Sequence, residues 1–306
     1  MITPTTIQKH SVKTVSENKK HSVKTKKVSR RKKSATAERS DRQTAVTMKS
    51  LHHTADIYTL IRKGYRMIKA DHLTVVYPDG RKALDDISFS LEEGKKTALI
   101  GANGAGKSTL LLSLVGIVPA TSGTITVGET VLSERTLREI REKVGFVFQN
   151  PDDQLFMSKV EDDIAFGPRN YGIPEDEIDR RMTDVLENLG ISHLKERLTS
   201  HLSGGEKRRV AVATVLVMEP SVLIFDEPSS YLDPRSRLLL MKEIASLKHT
   251  QLIATHDLDL ALDICDRAII LQDGKIMADG PADELLKDRE LLEGCGLEMP
   301  LSLSRK

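Results

Sequence analysis

The run Gly101-Ala102-Asn103-Gly104-Ala105-Gly106-Lys107-Ser108-Thr109 has the spacing Gly-x-x-x-x-Gly-Lys-Ser. Glycines let a backbone wrap closely around a phosphate chain, so that successive N–H groups point inward, and a following helix adds the partial positive charge of its N-terminus. An amine and a hydroxyl at this offset suit a nucleoside triphosphate carrying Mg2+: Lys107 reaches the β- and γ-phosphates, and Ser108 holds the metal. A second acidic pair, Asp226-Glu227, closes the apolar run Val222-Leu-Ile-Phe225. Asp226 is placed to hold Mg2+, and Glu227 to polarise a water in line with the γ-phosphate, the task of a base in phosphoryl transfer.

These residues must be held by strands and helices. From Met67 onward, short β-branched runs alternate with amphipathic stretches, the pattern of an α/β domain. Strands are expected at His72–Tyr77, Ile87–Leu91, Lys96–Gly101, Thr124–Val127, Gly145–Phe148, Val222–Asp226, Leu252–Thr255, Ala268–Leu271 and Lys275–Asp279, with antiparallel pairing among the first and the last. Lys96–Gly101 runs straight into the glycine-rich loop, and helix Leu110–Val115 follows it. Further helices are expected at Glu175–Leu189, Lys207–Val217 and Ala282–Leu292. Between residues 151 and 202 β signals fade, which reads as a helical subdomain inserted into a sheet-based core.

Composition bounds the rest. The chain has 306 residues, 39% hydrophobic and 29% charged, ample for a core. Its most apolar stretch, Val210 to Met218, falls far short of the roughly 20 residues that span a bilayer. Two cysteines, Cys265 and Cys295, make neither a disulfide framework nor a zinc cluster; they read as structural residues in a reduced, intracellular setting. The net charge of +2 conceals an asymmetry. Residues 1–66 carry 17 basic and 4 acidic residues, so the remainder has a net charge of −11. Lys-His-Ser-Val-Lys-Thr occurs at 9–14 and again at 20–25, and so polar a segment reads as disordered up to about residue 50. It suits either a basic arm for nucleic acid or anionic lipid, or a solvated extension; the lack of an aromatic before Tyr58 favours the extension. Residues 281–306 form a C-terminal extension, either a partner contact or a terminal brace.

One stretch narrows the field of nucleotide hydrolases. Leu202-Ser203-Gly204-Gly205-Glu206 opens a helix that Ser203 can cap, with the N–H groups of Gly204 and Gly205 exposed at its positive end. Two phosphate-binding surfaces and one Mg2+ site in one chain make sense if two copies face each other and sandwich nucleotide. Over about residues 67–280 the sequence resembles the ATP-binding cassette (ABC) ATPases. Leu202–Glu206 looks like their signature motif, with Glu206 where the family more often has Gln. The resemblance implies a P-loop core with an antiparallel β subdomain and an inserted helical subdomain, and ATP and Mg2+ as ligands. It implies that Gln149 is the Q-loop residue sensing Mg2+ and the membrane partner, His256 the switch histidine, Asp233 the aspartate that communicates across the dimer, and Tyr77 the aromatic stacking on adenine.

Within that family, Phe148-Gln-Asn-Pro-Asp-Asp-Gln-Leu-Phe156, Asp163-Ile-Ala-Phe-Gly-Pro168 and Asn170 look like the energy-coupling-factor and cobalt-type importer ATPases. The resemblance implies a second cassette as dimer partner, transmembrane and cargo-binding membrane subunits, a transition-metal ion or vitamin as cargo, and a peripheral position at the cytoplasmic face of the cell membrane. Leu155, Phe156, Phe166 and Tyr171 stand where the family receives a short helix from the transmembrane subunit, or else belong to the core of the helical subdomain. Two rivals remain: a soluble cassette ATPase acting on ribosomes or nucleic acid, and a non-enzymatic nucleotide-dependent module. Only about 50 residues separate Gln149 from Leu202, with no long insertion, which counts against a nucleic-acid partner. Retention of Lys107, Asp226, Glu227 and His256 argues against a dead module.

Overall fold

The chain divides into two units, Met1–Arg62 and Lys63–Lys306. The computed structural model describes residues 66–304, all within the second unit, so the basic extension lies outside the described residues apart from Arg66. Two sheets carry the fold. The first is antiparallel, in the order β2 (Lys82–Glu92), β1 (Arg66–Val76), β4 (Ser122–Val127), β5 (Thr130–Val131). The second has the order β10 (Lys275–Pro281), β9 (Arg267–Gln272), β3 (Lys96–Ile100), β8 (Thr250–Thr255), β7 (Val222–Asp226), β6 (Val144–Val147). Only the β9–β10 pair of this sheet is antiparallel.

Every residue of β7 and β8 is buried, as strands covered on both faces must be. The helices are α1 (Lys107–Leu114), α2 (Leu137–Lys143), α3 (Val160–Tyr171), α4 (Glu175–Asn188), α5 (Gly204–Leu216), α6 (Pro234–Ser246), α7 (Leu258–Ile264), α8 (Ala282–Leu285), α9 (Arg289–Gly294) and α10 (Leu301–Ser304). Helices α3 to α5 share one apolar cluster with β7, including Ile164, Met182, Leu186, Val210 and Phe225. Helix α1 packs in a second cluster that joins the two sheets through Leu84, Leu99, Leu110 and Ile224.

The expected strands all form, with shifted ends. Strand β1 starts six residues earlier than expected, at Arg66, and shifts register between Ala70 and Leu73, where His72 takes a φ of 51°. The two-residue β5 carries too little pattern to be read from sequence. Helix α5 starts at Gly204 rather than Lys207, because the Ser203 cap draws both glycines into its first turn. The expected helix Ala282–Leu292 is two helices. Asp288 accepts the N–H of Leu291 and caps α9, which breaks the run. This region braces the parallel sheet: Ala282, Leu286, Leu292 and Cys295 are buried against Ala98, Ile100, Ala268 and Ile270. Cys265 packs at its edge, and burial pushes its thiol up to about 12. No helix among the described residues is long and apolar enough to cross a membrane.

Candidate nucleotide site

Strands β3, β8, β7 and β6 are parallel neighbours, so their carboxyl ends open onto one edge of the sheet. That edge is where crossover connections leave a crevice for ligands. Each strand delivers one segment there: the 101–106 loop from β3, His256-Asp257 from β8, Asp226-Glu227 from β7, and Gln149 from β6. A cavity of about 1510 Å3 opens there, lined by Gly101–Gly104, Gly106–Thr109, Gln149, Glu227, His256 and Asp257 among others.

The loop owes its path to glycine at two points. A Cβ at Gly101 would stand 2.3 Å from the Leu271 carbonyl oxygen, and at Gly106, whose φ is 106°, 2.7 Å from that of Ala83. Gly106 is also the N-cap of α1 and supplies no side chain to cap it, so the first-turn N–H groups keep their capacity for an anion. The caps Asp233 and Asp257, by contrast, spend their carboxylates on the first turns of α6 and α7. Ala105 is buried and supports the loop from behind; its carbonyl accepts the Gly274 N–H at 3.0 Å.

Lys107 is only 7% exposed and donates to the carbonyl oxygens of Gly101 at 2.7 Å and Ala102 at 3.3 Å. Its Nζ is 3.9 Å from Glu227 Oε1. The other oxygen of Glu227 lies 2.7 Å from His256 Nδ1 and accepts the His256 backbone N–H at 3.3 Å. Glu227 thus bridges the lysine of the loop and the histidine that follows β8. It does so with a φ of 46°, a conformation costing of order 1–3 kcal/mol for a non-glycine residue. Such strain persists where the surroundings over-determine it; here a backbone hydrogen bond from Glu227 N–H to the Ala254 carbonyl helps.

Asp226 is buried beside this chain of contacts. Burial pushes its carboxyl up, and the charge of Glu227 pushes the same way, against the Ser108 hydroxyl and the cations Lys107 and Arg208. Its Oδ1 is buried without a hydrogen-bond partner. An orphaned carboxylate oxygen next to a serine hydroxyl suits a small hard cation, so Ser108 and Asp226 fit Mg2+, and Gln149 on the cavity wall can add its amide oxygen.

Several expected residues are not on the cavity wall, Ala105 and Asp226 among them. Ser203, Gly204 and Gly205 do not line it, and neither does Asp233. Ser203 and Glu206 form a reciprocal capping box: the Ser203 hydroxyl accepts the Glu206 N–H, and Glu206 Oε2 accepts the Ser203 N–H at 2.8 Å. A carboxylate therefore serves this position as an acceptor, and no amide is needed. Tyr77 also stands off: its hydroxyl meets Thr109 Oγ1 at 3.0 Å, and the Arg81 guanidinium lies 5.0 Å above its ring. Arg81 lines the cavity where Tyr77 does not, so a base reaches that face of the ring only in place of the guanidinium.

Several residues were missed from sequence. Arg208, 2% exposed, donates to the carbonyls of Phe148 and Gln149 and so holds the Gln149 turn. Gln154 reinforces that turn, accepting the Phe148 N–H at 3.1 Å and donating to the Ala211 carbonyl. Residues Leu297–Ser302, near the C-terminus, form part of the cavity wall and are tied down where Asp259 accepts the N–H groups of Leu301 and Ser302. Nothing in the sequence marks Arg208, which stands in the charged run Glu206-Lys207-Arg208-Arg209 at the start of α5.

The ABC transporter family model matches residues 84–230. An ABC transporter ATP-binding protein of Geobacter sulfurreducens is 48% identical over 239 residues, covering 78% of this chain and 96% of that protein. This chain belongs to the ABC transporter ATP-binding proteins. It is also 45% identical to the energy-coupling factor transporter ATP-binding protein EcfA of Carboxydothermus hydrogenoformans, over 76% of this chain and 87% of that protein. Among solved structures it is similar to cbiO1 of Clostridium perfringens, described as part of the transporter complex cbiONQ, with a TM-score of 0.68, 39% identity, and coverage of 78% of this chain and 96% of that one. As an ABC ATPase, the chain binds and hydrolyses ATP.

Proposed function

We propose that this ABC ATPase energises an importer of the energy-coupling-factor type, driving uptake of a transition-metal ion or a vitamin through transmembrane and cargo-binding partner subunits at the cytoplasmic face of the membrane. The names of its relatives support the subgroup, and one surface feature carries the reading. Phe156 and Phe166 are 64% and 38% exposed and pack edge to face, ring centroids 4.7 Å apart, beside the turn that carries Gln149. Two exposed aromatics in contact are a site for another protein's apolar side chains. Leu155 is buried, and the Tyr171 hydroxyl is bonded to the Arg138 carbonyl, so the docking surface reduces to the two phenylalanines.

The proposed domains are residues 67–280 as the ATPase, with about 151–202 as its helical subdomain, flanked by extensions 1–66 and 281–306. In the proposed cycle, ATP bound in the cavity meets the Ser203–Gly205 turn of a second cassette. This is supported by the position of that turn outside its own chain's cavity. Lys107 leaves the loop carbonyls for the β- and γ-phosphates, and the N-terminus of α1 stabilises their charge. Ser108, Asp226 and Gln149 would hold Mg2+, which would supply further neutralisation of the phosphate oxygens. Glu227 orients the attacking water and takes its proton, while His256 fixes the Glu227 carboxylate through the 2.7 Å contact. Asp233 at the start of α6 reports the state of one site to the other.

The test is affinity purification of the tagged chain from detergent-solubilised membranes of its host, with ATPase assay of the eluate. Integral membrane subunits are expected to co-purify, and Glu227→Gln is expected to bind ATP but lose 10²–10⁴ in rate, roughly the worth of a general base. Recovery of ribosomal or nucleic-acid-bound proteins alone would remove the transport reading and leave the ATPase.

A further inference from the structure

Asp257 is the residue on which three segments of the cavity wall converge. Its Oδ1 accepts the Leu260 N–H at 3.0 Å and caps α7, the helix that begins just after His256. Its other oxygen, Oδ2, faces Arg237, with Nε at 2.7 Å and Nη2 at 2.6 Å, and lies 3.4 Å from Ser229 Oγ. Its backbone N–H donates to Thr255 Oγ1 at 3.0 Å. The side chains of Arg237 and Asp257 are 32% and 18% exposed, so the pair is partly shielded from solvent on the wall of the nucleotide cavity.

Arg237 comes from the first turn of α6, and its own N–H donates to the Asp233 carbonyl at 2.9 Å. The side chain of Asp233 caps the same turn, accepting the N–H groups of Arg235 and Ser236. The first turn of α6 is therefore a short rigid piece with Asp233 at one end and the Arg237 guanidinium at the other. That guanidinium grips the residue next to His256.

We propose that Arg237 is a positioning residue for ATP hydrolysis: by holding Asp257 it sets the turn that presents His256 to Glu227, and it ties that turn to Asp233. The proposal rests on the roles given above to Glu227 and His256. An ordinary exposed ion pair contributes little to stability and nothing to turnover. A positioning contact differs in kind, since displacement of a catalytic group by about 1 Å costs up to about a hundredfold in rate. Because His256 touches Glu227 and not the loop that cradles the phosphates, the loss falls on kcat and leaves KM for ATP nearly alone.

The experiment measures kcat, KM and thermal unfolding for the full chain and for Arg237→Ala, Arg237→Lys, Asp257→Asn, Arg237→Ala with Asp257→Asn, Glu227→Gln, and Arg235→Ala as a neighbouring loss of charge on exposed α6 surface. Arg237→Ala is expected to lower kcat about ten- to a hundredfold with KM within about twofold, Arg237→Lys to recover part of the loss, and the double variant to be no slower than the slower single one. Arg235→Ala is expected to retain the rate. Arg237→Ala turning over within about twofold of the parent, or losses that multiply in the double variant, would overturn the proposal while Glu227→Gln is dead. Should Arg237→Ala fail to fold, Arg237→Lys and Asp257→Asn decide the matter by the same split between kcat and KM. A Glu227→Gln chain that hydrolyses ATP at the parent rate would remove the base assignment, and the positioning role falls with it.

Discussion

Asp226 is a carboxylate whose function and stability pull in opposite directions. Burial raises its carboxyl above the ordinary value, so ionising it costs more in the folded chain than in the unfolded chain, which hydrates the charge freely. The resulting cost sets in as pH rises past the unfolded carboxylate value and is complete above the raised folded one. Asp226→Asn removes it. Without nucleotide or Mg2+, the melting temperature of the variant should rise by roughly 2–4 °C for each kcal/mol recovered. The gain should grow as pH rises above the ordinary carboxylate value and vanish well below it, where the carboxyl is neutral both folded and unfolded, whereas Mg2+-dependent ATP binding is lost. A variant less stable than the parent at pH 8 would show that the orphaned Oδ1 is better satisfied than its burial indicates. Lys107→Ala belongs to the same scale. Its Nζ is already held by the Gly101 and Ala102 carbonyls, so removal should weaken ATP binding, measured by titration calorimetry, rather than slow a bound substrate.

At the scale of elements, the buried arginine of α5 decides where the Gln149 turn sits. Arg208 supplies donors to two consecutive carbonyls, those of Phe148 and Gln149. Replacing it by Met keeps most of the volume but leaves both carbonyls without their donor, at about 1–3 kcal/mol for each buried group left unpaired. Arg208→Met should therefore lower the melting temperature and accelerate amide exchange across residues 149–154, with β7 little changed. Uniform exchange across the domain would mean that Arg208 is a general core residue and not a clamp. The Ser203 cap acts on the same helix at its N-terminus, and Ser203→Ala is expected to cost about 1 kcal/mol in a denaturant titration.

At the scale of the whole molecule, the exposed and the buried surfaces make separate predictions. Phe156→Ser with Phe166→Ser should leave ATP hydrolysis by the isolated chain within about twofold, since neither ring lines the cavity, and should abolish co-purification of membrane subunits. Retained co-purification would move the docking surface elsewhere. The apolar cluster that includes α7 to α9 is tested through Cys265. With its thiol pushed to about 12 from an ordinary value of 9.0, thiolate at pH 8 is scarcer by roughly a thousandfold, so maleimide labelling should wait for denaturant. Rapid labelling of the native chain would show that this packing opens on its own.

The amino-acid sequence by itself determined the family, the strands that deliver the site, and the residues of the phosphate loop. Those depend on local rules: a glycine where backbone must pass within van der Waals reach, an apolar run long enough for a buried strand, a capping serine before a helix. It also indicated two phosphate-binding surfaces, because each is a contiguous motif. It was silent on Arg208, Arg237, Asp257 and Asp259, which act through partners 20 to 60 positions away and look locally like ordinary charged residues. It likewise left residues 297–302 without a place, whereas the fold brings them to the cavity wall. Tertiary structure alone decided these. The energy of a partly buried charge depends on which donors and acceptors surround it in space, and only the order of strands in the parallel sheet sets that.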